Sequence, residues 1–341
     1  MRNVRYVTLD PTGNLTCLVL DRVRKDEEAE ITRRLMGECE QVAYLEEATR
    51  EGSRARIRLM GGEFCGNAAM ASACYLASLD GTETGIVTID VSGADAPVAC
   101  SVRKEADGCW TGCVEMPRIT RTETVREAGM KLTSVAMEGI RHFIAERGNP
   151  ETDFAEPVDP VTNPAKTEGP ATNPAKTEDS ETNPAKTDHP GIDIPETGWM
   201  EKKQAEALLR KLAAEIPEGA AGLLQWNRER GEMLPLVLVK GSDTLVWENG
   251  CGSGSAAIGA YEALQAHGSL TETARGDNTR KFEATATGAD MEWTTETAVK
   301  QPGGVIRAAA TVCGERVKRV TITGFVRFRG EAVIGAADDR A

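Results

Sequence analysis

Two segments of this 341-residue chain can be laid over each other in one register, and that repetition limits the folds open to it. The first reads Glu63-Phe64-Cys65-Gly66-Asn67-Ala68-Ala69 and continues to Ala77; the second reads Glu248-Asn249-Gly250-Cys251-Gly252-Ser253-Gly254 and continues to Ala263. With Cys65 set on Cys251, the pairs Gly66/Gly252, Ala71/Ala257, Tyr75/Tyr261 and Ala77/Ala263 coincide. Each segment sits amid short β-branched runs bounded by Gly, Pro and Asp. Arg5–Leu9, Thr16–Leu20, Arg56–Leu59 and Ile86–Val91 read as strands, as do Pro235–Val239, Thr244–Trp247, Val305–Val312 and Val320–Phe328. Between the two sets, Gly198–Ile216 reads as a helix, with Leu208, Leu209, Leu212 and Ile216 at helical spacing. The pattern predicts an α+β chain of two domains of similar design, each with an Ala-rich helix among its strands.

The expected domains are 1–118, carrying Cys65, and 119–320, carrying Cys251. Residues 321–341 are expected to form a C-terminal strand and tail that could return to the first domain. TNPAKT occurs three times at ten-residue intervals, from Thr162, Thr172 and Thr182. Such proline-bearing, apolar-poor sequence cannot bury enough surface to offset its ordering entropy, so 149–196 is expected to be a solvated insertion in the second domain.

The turns before the two Ala-rich helices carry the chemistry. A cysteine followed by Gly and a small polar residue sits at a helix N-terminus, where unpaired N–H groups favour negative charge. A thiol there is expected to ionise more readily than a free one. The same N–H groups can bind a carboxylate, and Gly66 and Gly252 offer no side chain against its approach. Asn67 and Ser253 are placed as cap or ligand donors. Two thiols around one anion site suit racemisation: one, as thiolate, removes an α-proton, and the other returns a proton from the opposite face.

Charge and cysteine usage narrow the alternatives. The formal net charge of −13 argues against a nucleic-acid partner. No apolar stretch approaches the roughly 20 residues of a membrane span, and the start has no apolar signal core. Nine cysteines, with no export signal, predict reduced thiols in a cytoplasmic protein. Cys17, Cys39, Cys74, Cys100 and Cys313 are expected as buried small hydrophobes. Cys109 and Cys113 have no second ligand pair, so no metal site is expected. His189 and His267 read as surface residues. A thiol redox protein and a binding protein that has lost its chemistry are the readings from other classes. The first lacks a Cys-x-x-Cys motif, and the presence of both thiols weighs against the second.

GGEFCGNAA at Gly61–Ala69, CGSGSAA at Cys251–Ala257, QPGG at Gln301–Gly304 and ITG at Ile322–Gly324 resemble the diaminopimelate epimerase family of amino-acid racemases, which work without pyridoxal phosphate. The resemblance implies two mirrored domains, each a β-barrel wrapped around a central helix, with the active site in the cleft between them. It implies no cofactor, a small amino-acid substrate, and a homodimer as one option for assembly. Carried over by position, Cys65 and Cys251 resemble the base and acid, and Gly66, Asn67, Gly252 and Ser253 the carboxylate-binding helix ends. Asn14 and Gln41 resemble substrate-contacting residues, His142 the histidine that supports the cysteines, and Glu248 its glutamate partner.

The departures bear on the substrate. Diaminopimelate epimerases hold the distal amino-acid end with extra asparagines and an arginine directly after the glutamate. Here Asn249 follows Glu248, and Gly139-Ile140-Arg141-His142 replaces Gly-Asn-Pro-His. A distal carboxylate would be poorly paired, which discriminates against that substrate. The GGEFCGNA signature, Pro11-Thr12-Gly13-Asn14 and Glu40-Gln41-Val42 resemble instead the histidine racemase branch, which supplies D-histidine to opine-type metallophores. On that resemblance Glu40 is a candidate partner for a substrate imidazole N–H. Another amino acid, diaminopimelate included, is the alternative substrate.

Overall fold

A computed structural model describes residues 2–147, 199–241, 243–268, 279–281 and 291–336; the expected insertion and His189 lie outside them. The first half runs β1 (Arg2–Pro11), β2 (Thr16–Val19), α1 (Glu28–Leu35), β3 (Gln41–Glu46), β4 (Arg56–Leu59), α2 (Gly66–Leu79), β5 (Thr84–Val91), β6 (Val98–Lys104) and β7 (Trp110–Glu115). The second begins with β8 (Ile119–Glu127), β9 (Met130–Met137), β10 (Ile140–Glu146), α3 (Lys202–Ala214), β11 (Ala220–Asn227), β12 (Glu232–Val239) and β13 (Thr244–Trp247). It continues with α4 (Gly252–Gly268), β14 (Thr279–Lys281), β15 (Glu292–Gln301) and β16 (Gly304–Cys313), and the chain closes on the long strand β17 (Arg316–Ala336).

The architecture is mixed α+β and sheet-dominated, with four helices among the described residues. Burial alternates along the strands around the helices: Ile57 and Leu59 point inward in β4, and Trp110, Gly112 and Val114 in β7. Neighbouring strands pair from β1 through β2, β3, β4, β5 and β6 to β7. β17 then pairs with both β7 and β1, so the circuit of pairings returns to its start. In the second half, pairing runs from β8 through β9, β10, β11, β12, β15 and β16 to β17. The earlier stretch of β17 thus belongs to the second half and the later stretch to the first, which joins all the strands in one hydrogen-bonded network.

The two central helices read as Ala-rich because strands crowd them from several sides. Every residue of α2 from Gly66 to Ala77 is buried, which leaves no polar stripe. Side chains at the contacts must be small: a Cβ on Gly112 of β7 would lie 2.8 Å from Met70 Cβ, and one on Gly259 of α4 would lie 2.6 Å from Ala308 Cβ in β16. The third long helix, α3, is amphipathic instead. Its Leu208, Leu209 and Leu212 are buried with Leu223 and Leu236 of β11 and β12, each side chain contributing about 2 kcal/mol of burial. No helix among the described residues is long and apolar enough to cross a membrane.

Candidate active site

Both cysteine turns have the same backbone construction. Cys65 caps α2 in an extended conformation, and its Sγ accepts from the Ala68 N–H at 3.5 Å while its carbonyl accepts from Ala69. Cys251 repeats this, with Gly254 N–H 3.2 Å from Sγ and Ser255 N–H on its carbonyl. Helix geometry leaves the intervening amides of Gly66, Asn67, Gly252 and Ser253 without intrahelical acceptors. The two helix ends meet head to head. Asn67 Nδ2 donates to the Gly250 carbonyl at 2.9 Å, and a Cβ on Gly252 would lie 2.9 Å from Asn67 Oδ1. Ile322 Cδ1 stands about equally close to both glycines, 3.1 Å from a Cβ on Gly66 and 2.9 Å from one on Gly252. A side chain at either position would separate the ends.

Three loops lock this junction. Gly13, at φ +88°, brings its Cα so near Gly303 that a Cβ would lie 2.4 Å from Gly303 Cα; a Cβ on Gly250 would lie 2.2 Å from the Thr12 carbonyl oxygen. Gly303 N–H donates to the Asn249 carbonyl at 2.7 Å. The Pro11-Thr12-Gly13-Asn14, Glu248-Asn249-Gly250-Cys251 and Gln301-Pro302-Gly303-Gly304 segments are thereby stacked backbone on backbone, which only glycine permits.

A cavity of about 290 Å³ opens at the junction. Nine of the expected site residues line it: Asn14, Gln41, Cys65, Gly66, Asn67, Glu248, Cys251, Gly252 and Ser253. The other two stand behind the lining. Fully buried His142 places Nε2 2.9 Å from Ser253 Oγ, which is itself 3.6 Å from Cys251 Sγ. Its Nδ1 lies over Gly222, the residue opposite it in the β10–β11 register, and has no hydrogen-bond partner among the described residues. Glu40 accepts from Asn14 Nδ2 at 2.8 Å and from Asn249 Nδ2 at 2.6 Å. Gln41 Nε2 donates to Asn14 Oδ1 at 2.6 Å and Thr16 Oγ1 at 2.7 Å. Glu40 and Gln41 therefore fix the Asn14 amide between them.

The electrostatics depart from the sequence expectation in one respect. The thiols are not the readily ionised groups that a helix N-terminus alone would give. Burial pushes Cys65 up to about 11, outweighing the Ala68 N–H and the Gln41 side chain that pull it down. Burial, reinforced by the charge of Glu248, drives Cys251 well above its ordinary value. Desolvation of the sulfur costs more than the helix end returns. Burial also raises Glu248 to about 7 and Glu40 to about 6, the Asn249 and Asn14 amides tempering the latter. It lowers His142 to about 3, so the ring is neutral at working pH.

Several contributors escaped the sequence reading. Gln301 and Ser255 hold the backbone of Cys251, yet Gln301 stood out only as part of a motif without a role. Asn249 figured only as a departure from a family pattern. Phe64, Pro117, Ile140, Val237 and Val239 form an apolar side of the cavity that no motif signalled. Of the five cysteines expected to be inert, Cys17, Cys39, Cys74 and Cys100 are buried, while Cys313 is half-buried. His267 is half-buried too, its ring stacked on Trp293 at 5.1 Å.

Comparison with known proteins finds a family and several folds to which this chain is similar. The histidine racemase CntK N-terminal domain family matches residues 3–171 and 183–276, most of the chain. A histidine racemase of Staphylococcus aureus is 24% identical over 332 residues, covering 95% of this chain and 94% of that protein. Among solved structures, a hydroxyproline epimerase of Agrobacterium vitis superimposes with a TM-score of 0.57 at 11% identity, over 99% of this chain and 94% of its own. A phenazine biosynthesis protein of the PhzF family from Bacillus anthracis gives 0.54 at 11% identity, over 98% and 99%.

Proposed function

This chain belongs to the histidine racemase family, and from that premise we propose that it interconverts L- and D-histidine with Cys65 and Cys251 as the two proton-transfer groups. As a member of that family it is an isomerase. The observation that carries the substrate reading is the cavity lining. Two helix ends offer amides for an α-carboxylate, and among the described residues the charged groups lining the cavity are Glu63, Glu138 and Glu248, with no Lys, Arg or His. Such a cavity favours a side chain able to carry positive charge and leaves a distal carboxylate without a partner. Glu248 is the lining carboxylate that bears on both thiols, and Glu40 acts from behind by orienting Asn14 and Asn249.

In the proposed reaction the amides of Gly66, Asn67, Gly252 and Ser253 hold the carboxylate, which sets the α-carbon between the sulfurs. One thiolate takes the α-proton, and the C–H electron pair moves into the Cα–carboxylate bond to give an enediolate-like species that the amides stabilise. The opposite S–H then delivers its proton to the other face and becomes the thiolate, so the two roles exchange in the reverse direction. Burial serves this chemistry: a desolvated thiolate, once formed, is a stronger base toward a weakly acidic C–H.

We assign the diaminopimelate epimerase-like arrangement to each half, a barrel of strands around a central helix, with domains 1–118 and 119–320. The closed circuit of pairings and the all-round burial of α2 support this in the first half, and the packing of α4 against β10, β15, β16 and β17 supports it in the second. An odd number of cysteines, nine, scattered along the chain favours reduced thiols in a cytoplasm. The test is α-proton exchange by NMR in D₂O with reduced protein. L-Histidine is expected to lose its α-proton signal and meso-diaminopimelate to keep it; the reverse result overturns the substrate assignment.

A further inference from the structure

We propose that Gln301 is a positioning residue for Cys251: it closes a ring of hydrogen bonds around that cysteine's backbone and sets where its sulfur stands. Gln301 ends β15 and is fully buried. Its Oε1 accepts from the Cys251 N–H at 2.6 Å, and its Nε2 donates to Ser255 Oγ at 2.9 Å. Ser255 Oγ in turn donates to the Cys251 carbonyl at 2.8 Å, which brings the ring back to the residue where it began. The Cys251 N–H is therefore held by a side chain, and its carbonyl by a side chain as well as by the helix. Two residues along the same turn, Gly303 N–H grips the Asn249 carbonyl.

The ring does two things for the reaction. It takes the Cys251 N–H out of the cleft, leaving carboxylate binding to Gly252 and Ser253. It also fixes the Cys251 backbone so that Sγ meets the Gly254 N–H at 3.2 Å and Ser253 Oγ at 3.6 Å. Cys65 is held differently. The matching turn of the first half supplies Ser92, whose Oγ donates to the Glu63 carbonyl at 2.8 Å, two residues before the cysteine. Loss of Gln301 should therefore be felt at one thiol and not at the other.

This inference rests on the racemase reading for its kinetic arm only. Alkylation of each cysteine by iodoacetamide, followed across pH by peptide mass spectrometry, needs no substrate. In Gln301→Leu the Cys251 profile is expected to move while the Cys65 profile stays, and kcat for histidine α-proton exchange should fall ~10²-fold, as for a misplacement of about 1 Å, with KM little changed. Gln301→Glu, which keeps the acceptor for the Cys251 N–H, should retain more activity than the leucine variant. Unchanged profiles at both cysteines, or equal shifts at both, overturn the proposal whatever the substrate proves to be. Should Gln301→Leu fail to fold, Ser255→Ala opens the same ring elsewhere and should show the same Cys251-selective shift at about a tenth of the kinetic size; its absence overturns the proposal too.

Discussion

The turns at Cys65 and Cys251 share their backbone and differ in their company. At Cys65 the groups that favour the thiolate are the Ala68 N–H and the Gln41 amide, and no carboxyl bonds the sulfur. At Cys251 the charge of Glu248 adds to burial in opposing the thiolate, Ser253 links the sulfur to His142, and Gln301 with Ser255 fixes the backbone. Cys251 is also the more deeply buried, at 2% exposure. A repeated helix end can therefore supply two amide pairs of the same geometry while leaving the surroundings of its two thiols unlike. In the proposed reaction the carboxylate needs symmetry about the α-carbon, but a thiol and a thiolate that exchange roles do not need identical partners.

The largest effects test whether both thiols are required. Cys65→Ser and Cys251→Ser should each lower turnover by ~10³-fold or more, since a hydroxyl of far higher pKa replaces an acid–base group. Full turnover by either variant would break the two-base scheme. Glu248→Gln comes next. With that carboxyl gone, kcat should fall ~10²-fold, and the inflection that a Glu248 titrating near 7 is expected to give the wild-type rate profile should vanish. Gln41→Leu, which removes an amide that favours the Cys65 thiolate, should cost only ~10-fold and leave that inflection in place. Equal losses with equal pH effects would mean that the two thiols are not supported unequally.

The repeat legible in the sequence came from the backbone device, and the asymmetry came from side chains that the device does not dictate. Cys-Gly followed by a small polar residue and alanines announces a helix end wherever it occurs, so both turns and their four glycine, asparagine and serine positions could be read. Strand runs such as Arg56–Leu59 and Thr244–Trp247 were readable for the same reason, being short, β-branched and well bounded. Gln301 could not be read this way, because its partners lie 50 and 46 residues away and a glutamine at a strand end has no local signature. Glu40 is a sequence candidate for a substrate imidazole, and its bonds to Asn14 and Asn249, one of them 209 residues distant in sequence, have no local signature either. The expectation of acidic thiols failed for a related reason: the helix end is a local feature, whereas the burial that outweighs it is assembled from both halves.

His142 extends the contrast to stability, because the second half carries a fully buried imidazole and the first has no histidine. Burial lowers its folded-state value to about 3 from an ordinary 6.5, so the unfolded chain binds the proton first as pH falls. Stability from the neutral ring is whole above pH 6.5 and is lost as pH drops toward about 3, with a slope of at most about 1.4 kcal/mol per pH unit. Denaturant unfolding at a series of pH values should show that slope in the wild type and a flatter one in His142→Gln. An unchanged slope would mean that the ring is protonated in the fold.

The smallest expected difference lies further along the two helices, where the matched tyrosines repeat a contact in unlike surroundings. Tyr75 Oη donates to Glu331 Oε1 at 2.8 Å, and Glu331 is exposed. Tyr261 Oη donates to Glu146, a half-buried carboxylate near Arg228, whose guanidinium lies 5.3 Å from the tyrosine ring centre and also bonds the buried Glu262. Removing the first hydroxyl leaves a carboxylate that water can reach, so Tyr75→Phe should cost about 0.5 kcal/mol. Removing the second takes a donor from a charge that cannot rehydrate fully, so Tyr261→Phe should cost about 2 kcal/mol. Urea midpoints at fixed m-value measure both. Equal costs would show that the two tyrosine contacts are energetically equivalent, and the asymmetry of the halves would then be confined to the groups around the sulfurs.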